Sequence, residues 1–274
     1  MPKNISLSEI KKYKNKFLKN NKNTASRNAL IKNDLNTVSL NWENYSKINH
    51  HFSNLIKKEL PATDQKASGR CWGFAGLNLM RLKVVENLDL PNFEFSQNYF
   101  MFCDKLEKAN YFLENIIQTK DHAYDSRLIM HLVKAPVQDG GQWDMFVNLI
   151  NKYGAVPKDV MPETNHSSKS MSMNYILTHK LREFASILRK KRLKNLSSLK
   201  KEMMEVIFNL LAMFLGQPPD VINWSTRNKD NRYFVISDMT PKDFCKKYAD
   251  INIKDKVCLI HAPMSNKKFN TVYT

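Results

Sequence analysis

The stretch QKASGRCWGFAGLNLMRLKVVEN, residues 65–87, decides how this chain is read. It opens as a polar loop, Gln65-Lys66-Ala67-Ser68-Gly69-Arg70. It then passes without a break into a run that is apolar nearly all round, interrupted before its last turn only by Asn78, Arg81 and Lys83. A helix apolar on every side belongs in the middle of a domain. Its first residue is Cys71. A thiol at a helix N-terminus faces unpaired backbone N–H groups and the positive end of the dipole, both of which favour the thiolate. The thiolate is the nucleophile, so this placement activates a cysteine without a metal. Gly69 lets the backbone turn tightly before the helix. Gln65, six residues earlier, can return its side-chain amide toward the thiol. With the Cys71 backbone N–H it would bind the oxyanion of a tetrahedral intermediate. The competing reading is a capped helix with a buried cysteine. The glutamine and the glycine argue against it.

Glycine usage points to the same place. The chain has only seven, where ordinary usage gives about nineteen. Gly154 and Gly216 follow apolar helical patterns and read as helix stops. The other five fall at Gly69, Gly73 and Gly76 around Cys71, and at Gly140-Gly141. A chain that otherwise avoids glycine needs backbone room or positive φ at those two places.

Outward from the cysteine helix the pattern is mainly helical. Upstream, residues 1–60 hold eleven Lys, one Arg and twelve Asn. Ser6-Leu7-Ser8-Glu9 is a capping-box pattern opening a short amphipathic helix through Ile10, Tyr13 and Phe17, and a loose polar arm is expected beyond it to about residue 50. Downstream, Ser96 caps a helix that continues through Leu106 to Ile117, and Ser126 to Val133 gives a shorter one. Trp143, Phe146, Val147 and Ile150 form one stripe ending at Gly154. Residues 171–216 read as a helical pair joined by the basic run RKKRLK (189–194), expected to be a solvated helix end. Beyond 220 the character changes. Val221–Trp224 and Tyr233–Ile236 flank a polar turn and read as a hairpin, and Thr240-Pro241 opens a short helix. Val257–Ile260 reads as a buried strand, and Phe269–Thr274 as a strand just starting, so the chain is expected to be a truncated molecule. The expected organisation is an arm over 1–60, a helical domain over 61–165, a helical insertion over 166–219 and the start of a β-rich region over 220–274.

Composition narrows the function classes. The chain is 42% apolar and 25% charged over 274 residues, as in ordinary globular proteins. No apolar run approaches the ~20 residues of a membrane span, and the first twenty residues lack the apolar core of a secretory signal. Neither membrane insertion nor export is therefore expected. The four cysteines, Cys71, Cys103, Cys245 and Cys258, lie far apart with no CxxC pair, which indicates neither a zinc site nor a redox motif. A net charge of +17 favours acidic partners, nucleic acid first.

QKASGRCWGFAGLNLMR (65–81) resembles the active-site segment of the bleomycin hydrolase and bacterial aminopeptidase C family, the self-compartmentalising branch of the papain superfamily. The Gln65-to-Cys71 spacing and the Cys71-Trp72 pair match its motif. FEFSQNYFMF (93–102), DGGQWDMFVNLINKYGAVPK (139–158), NYILTHKLREFASILRK (174–190) and NKDNRYFVISDMTPKDF (228–244) resemble family segments in family order. The resemblance implies an α+β, papain-like fold: mostly its helical half, with a helical insertion and the start of the β-rich half. It implies a cytoplasmic cysteine aminopeptidase acting on peptide substrates without metal or cofactor. Cys71 would be the nucleophile, Gln65 the oxyanion donor, and Gly140-Gly141 the edge along which an extended peptide lies. It also implies a homo-oligomer, hexameric in the family, and a use for the charge, since some members bind nucleic acid. The family's catalytic histidine and asparagine come far downstream of its cysteine, and none of His50, His51, His122, His131, His166, His179 and His261 sits in a segment resembling the histidine motif. The chain alone is therefore expected to lack that pair and to be inactive or a fragment. The alternative is a non-catalytic, basic nucleic-acid-binding or scaffold protein on half a protease fold.

Overall fold

The computed structural model describes residues 4–56, 59–190, 195–249 and 264–271. Its contacts divide the chain into two units, Met1–Glu59 and Leu60–Thr274.

The first unit is a series of short helices: α1 (Leu7–Leu18), α2 (Asn21–Leu30), α3 (Leu35–Val38) and α4 (Trp42–Tyr45). The Ser6/Glu9 capping box forms as its residues require. The loose arm expected beyond α1 is instead three further helices. Asn20, Asp34 and Asn41 each accept a backbone N–H of the turn they precede, satisfying donors that a helix start leaves open. None of the four helices carries a buried residue.

The second unit is built on α6 (Gln97–Gln118), capped by Ser96, whose hydroxyl accepts from the Tyr99 N–H. Against it pack α5 (Cys71–Asn87), α7 (Arg127–Lys134), α8 (Trp143–Tyr153), α10 (Met171–Leu188) and α11 (Leu196–Leu215). The short α9 (Asn165–Ser168) rests on α10 and α11. Leu77, Met101, Phe112, Leu177 and Leu211 belong to one continuous apolar core. Gly154 and Gly216 end α8 and α11 with φ of 72° and 85°, the left-handed region glycine enters freely. An antiparallel hairpin of β1 (Ile222–Arg227) and β2 (Tyr233–Met239) follows, pairing Trp224 with Ile236 and Thr226 with Phe234. Thr240 then caps α12 (Pro241–Phe244), and a π-helical turn at Cys245–Ala249 returns to pack on α5. The class is α+β, as expected.

Three further expectations need correction. The helix α5 is not enclosed on every side: Cys71, Ala75 and Leu79, at successive i, i+4 positions, form an exposed stripe. Arg189 is not part of a solvated helix end. It is buried, donating to the Thr119 carbonyl at 2.9 Å and to the His122 carbonyl, which ties the end of α10 to the end of α6. Phe269 and Asn270 form a turn rather than a strand. The strand expected at 257–260, together with Cys258, His261 and residues 191–194 of the basic run, lies outside the described residues.

Candidate active site

The loop before α5 is shaped by Arg70, which is only 3% exposed. Its guanidinium makes a two-pronged ion pair with Glu163 at 2.9 and 2.8 Å, and its Nε donates to Ser68 Oγ at 2.8 Å. Ser68 Oγ in turn donates to the Gln65 carbonyl at 2.7 Å. Ser167 Oγ donates to Glu163 at 2.7 Å, so α9 completes the chain of contacts. A bidentate arginine–carboxylate pair fixes orientation as well as distance. The turn leading into Cys71 is thereby held from both ends. Gln65 itself is half-buried, and its Oε1 is buried without a hydrogen-bond partner among the described residues.

Cys71 sits exposed as the first residue of α5, where the first-turn amides have no intrahelical acceptor. The two other described thiols differ. Burial pushes Cys103 and Cys245 each up to about 12.

The residue after Cys71 joins the two glycine clusters. Trp72 Nε1 donates to the Asp139 carbonyl at 2.8 Å, and a Cβ on Gly141 would lie 2.5 Å from the Trp72 ring. A Cβ on Gly69 would lie 2.6 Å from that of Asp139, whose carboxylate accepts the Gly69 N–H at 3.2 Å. Within α5, Gly73 and Gly76 admit Phe100 and Phe146. None of these positions has positive φ, so the glycines around the cysteine supply room rather than unusual dihedrals. The Gly140-Gly141 segment, about seventy residues away in sequence, is thus brought against the residue adjoining Cys71. Gly140 has nothing within 4 Å of its missing side chain and stays exposed. Trp143 is half-buried, stacked on Phe146 at 5.7 Å.

Sequence reasoning passed over the groups that hold this loop. Asp139 Oδ1 accepts from Lys105 Nζ at 2.5 Å and Asn174 Nδ2 at 2.7 Å, while its Oδ2 accepts from Ser170 Oγ at 2.7 Å. Burial by itself would raise the Asp139 pKa. Lys105 and the hydroxyl and amide donors outweigh burial and hold the carboxyl well below the usual carboxylate range. Asp104, beside Lys108, goes the other way: burial, only partly offset by the lysine, pushes it up to about 6. A shallow depression of about 320 Å³, lined by Val137, Gln138, Met171, Asn174 and Tyr175 among others, borders the same loop but does not include Cys71. His166 lies against Phe214, and His179, which also lines that depression, lies against Tyr175.

An α+β protein with an exposed cysteine opening a core helix, beside a loop edged by paired glycines, has the construction of a papain-like thiol peptidase. Residues 4–274 match the model of the Peptidase C1-like family, and the chain belongs to that family. Aminopeptidase C of Listeria innocua is 43% identical over 276 residues, covering 100% of this chain and 62% of that protein. Human bleomycin hydrolase is 38% identical over 263 residues, covering 90% of this chain and 57% of its own length. The crystal structure of PepW from Lactobacillus rhamnosis HN001 superposes with a TM-score of 0.86 at 38% identity, covering 98% of this chain and 61% of the other. The chain spans about three-fifths of the length of these relatives.

Proposed function

We propose that this chain serves as a cysteine aminopeptidase of the bleomycin-hydrolase type, with Cys71 as nucleophile. The observation that carries the reading is the exposed Cys71 at the start of a fixed helix, with Gly141 packed against the neighbouring Trp72. In the whole enzyme a histidine takes the thiol proton, and the sulfur bonds to the carbonyl carbon of the first peptide bond. The carbonyl electron pair moves onto oxygen, where the Gln65 amide and the Cys71 N–H receive the oxyanion. Collapse breaks the C–N bond, and the amine leaves with a proton. Water then cleaves the thioester, releasing the N-terminal residue and restoring the thiol. Gly140-Gly141 provides an edge free of side chains for the extended substrate. A cytoplasmic location, a homo-oligomeric assembly and polyanion binding through the surplus positive charge belong to the same proposal.

The test is alkylation by glycyl-phenylalanyl chloromethyl ketone, a two-residue reagent that reads the thiol and the extended-peptide edge rather than which peptide bond is cut, compared with iodoacetamide, with the modified residue mapped by mass spectrometry. The sulfur displaces chloride in the first and iodide in the second, so neither needs a complete acyl-transfer machinery. Cys71 is expected to be the modified thiol, with the peptidyl reagent favoured over iodoacetamide at equal concentration. Equal modification of Cys103 or Cys245, or no advantage from the peptide portion, refutes the assignment.

A further inference from the structure

The loop that carries the glycine pair has a peculiarity the peptidase reading does not by itself require. All four consecutive carbonyls of residues 137–140 are taken by side-chain donors. The Val137 carbonyl accepts from Lys105 Nζ at 2.6 Å, and the Gln138 carbonyl from Lys108 Nζ at 2.7 Å. The Asp139 carbonyl accepts from Trp72 Nε1 at 2.8 Å, and the Gly140 carbonyl again from Lys108 Nζ at 2.8 Å. Lys108 spends its third proton on Asp104 at 2.7 Å, so its three donors are fully used. Lys105 adds the Asp139 carboxylate at 2.5 Å. The two lysines are 1% and 9% exposed, in the middle of the most buried helix of the fold.

Buried lysines are rare, and replacing a buried ionic cluster by well-packed apolar residues is often neutral or stabilising. What apolar residues cannot do is fix a main chain in one register. Charge-assisted hydrogen bonds to successive carbonyls do so, because each donor has one acceptor position at which its desolvation is repaid. The Asp139 carboxylate extends the same restraint to Gly69, at the turn into Cys71.

We propose that Lys105 and Lys108 are positioning residues for the peptide-binding edge: through the carbonyls of 137–140 they set Gly140-Gly141 at the distance from Cys71 that substrate alignment needs. This rests on the peptidase reading. Neither lysine touches substrate. Their effect reaches the reaction only through where the loop lies, and a displacement of about 1 Å in such a loop costs on the order of a hundredfold in productive alignment.

The experiment measures, in the 274-residue chain, the second-order rates of Cys71 alkylation by glycyl-phenylalanyl chloromethyl ketone and by iodoacetamide. Their ratio reads the peptide edge, and the iodoacetamide rate alone reads the thiol. In Lys108→Met the ratio is expected to fall by about ten- to a hundredfold while the iodoacetamide rate stays within about twofold. Asp104→Asn keeps both loop contacts of Lys108 and is expected to retain most of the ratio. An unchanged ratio in folded Lys108→Met overturns the proposal. So does a fall in both rates together, which would mark a purely structural lysine, and so does an equal loss of ratio in Asp104→Asn. Should Lys108→Met fail to fold, Lys108→Arg keeps the charge but not the three-pronged Nζ geometry. It is expected to lose part of the ratio, and full retention overturns the proposal. A native chain that shows no preference for the peptidyl reagent refutes the peptidase reading itself, which separates that failure from the failure of the lysines.

Discussion

Replacing each glycine of the pair in turn separates what one does from what the other does. A methyl group on Gly141 would lie 2.5, 2.6 and 2.7 Å from Cε2, Cζ2 and Cδ2 of Trp72. Carbon atoms rest at about 3.5–4 Å, so the ring or the loop must move by about 1 Å. Neither is free to do so. The indole is pinned by its 2.8 Å hydrogen bond to Asp139, by an edge contact with Phe100 at 4.9 Å, and by Lys108 at 5.3 Å from the ring centre. Overpacking costs about 1–3 kcal/mol, and loss of the indole hydrogen bond adds about 1 kcal/mol. A less flexible unfolded chain returns about 0.4–1 kcal/mol. Gly141→Ala should therefore destabilise by about 1–3.5 kcal/mol, or about 2–14 °C in Tm for a unit of this size. Gly140→Ala meets nothing within 4 Å at a φ that is not positive, keeps the same return from the less flexible unfolded chain, and should leave stability unchanged or raise it by up to about 1 kcal/mol. Urea titration followed by tryptophan fluorescence, with the slope unchanged between variants, measures both. Equal destabilisation by the two substitutions, or a neutral Gly141→Ala, would refute the packing of this loop on Trp72.

Two further outcomes follow from the buried charges. Breaking the Arg70–Glu163 pair by Arg70→Met leaves Glu163 with Ser167 and about a quarter of its side chain accessible, so the cost should lie near the lower end for a buried pair, about 3 kcal/mol. A loss below about 0.5 kcal/mol in urea titration would show that the pair does not hold the turn before Cys71. The Asp139 carboxyl, depressed in the folded chain, contributes stability that is present above its ordinary value of 3.8 and is lost as pH falls below it. Asp139→Asn should flatten stability against pH on that acid limb. Asp104, raised to about 6, has the opposite sign: its contribution is complete below 3.8 and is lost as pH rises through about 6, and Asp104→Asn should flatten that limb instead. Identical pH curves for the native chain and either variant would contradict the corresponding assignment.

The elements legible in the sequence are those whose signal is local. Ser6 with Glu9, Ser96, Ser126 and Thr240-Pro241 each cap the helix their neighbours announce, and Gly154 and Gly216 end theirs. The three further helices of the arm were missed because their apolar residues are sparse, although Asn20, Asp34 and Asn41 stood at the right positions to cap them. Cys71 and its glycines were legible for the same local reason. Asp139, Lys105 and Lys108 were not, because a lysine or aspartate is solvated unless a partner distant in sequence pays for its burial. Here those partners stand 34 residues apart between Lys105 and Asp139, and 93 apart between Arg70 and Glu163.

One signal was nevertheless present. Asp104, Lys105 and Lys108 interrupt a helix whose preceding residues, Tyr99 to Cys103, are all apolar and all buried. The Asp104 and Lys108 side chains, four residues apart, lie on one face. A helix enclosed on that many sides has no solvent to offer such a pair, so the charges must be answered by the protein interior, and a main chain rich in carbonyls is the cheapest acceptor available to a buried lysine. The 137–140 segment is such a main chain: Lys105 takes the Val137 carbonyl and Lys108 those of Gln138 and Gly140, while the Asp139 carboxylate answers Lys105 as well. Charges inside an apolar helix and glycines inside a glycine-poor chain are thus two halves of one requirement, a loop held by its backbone at a fixed distance from a cysteine.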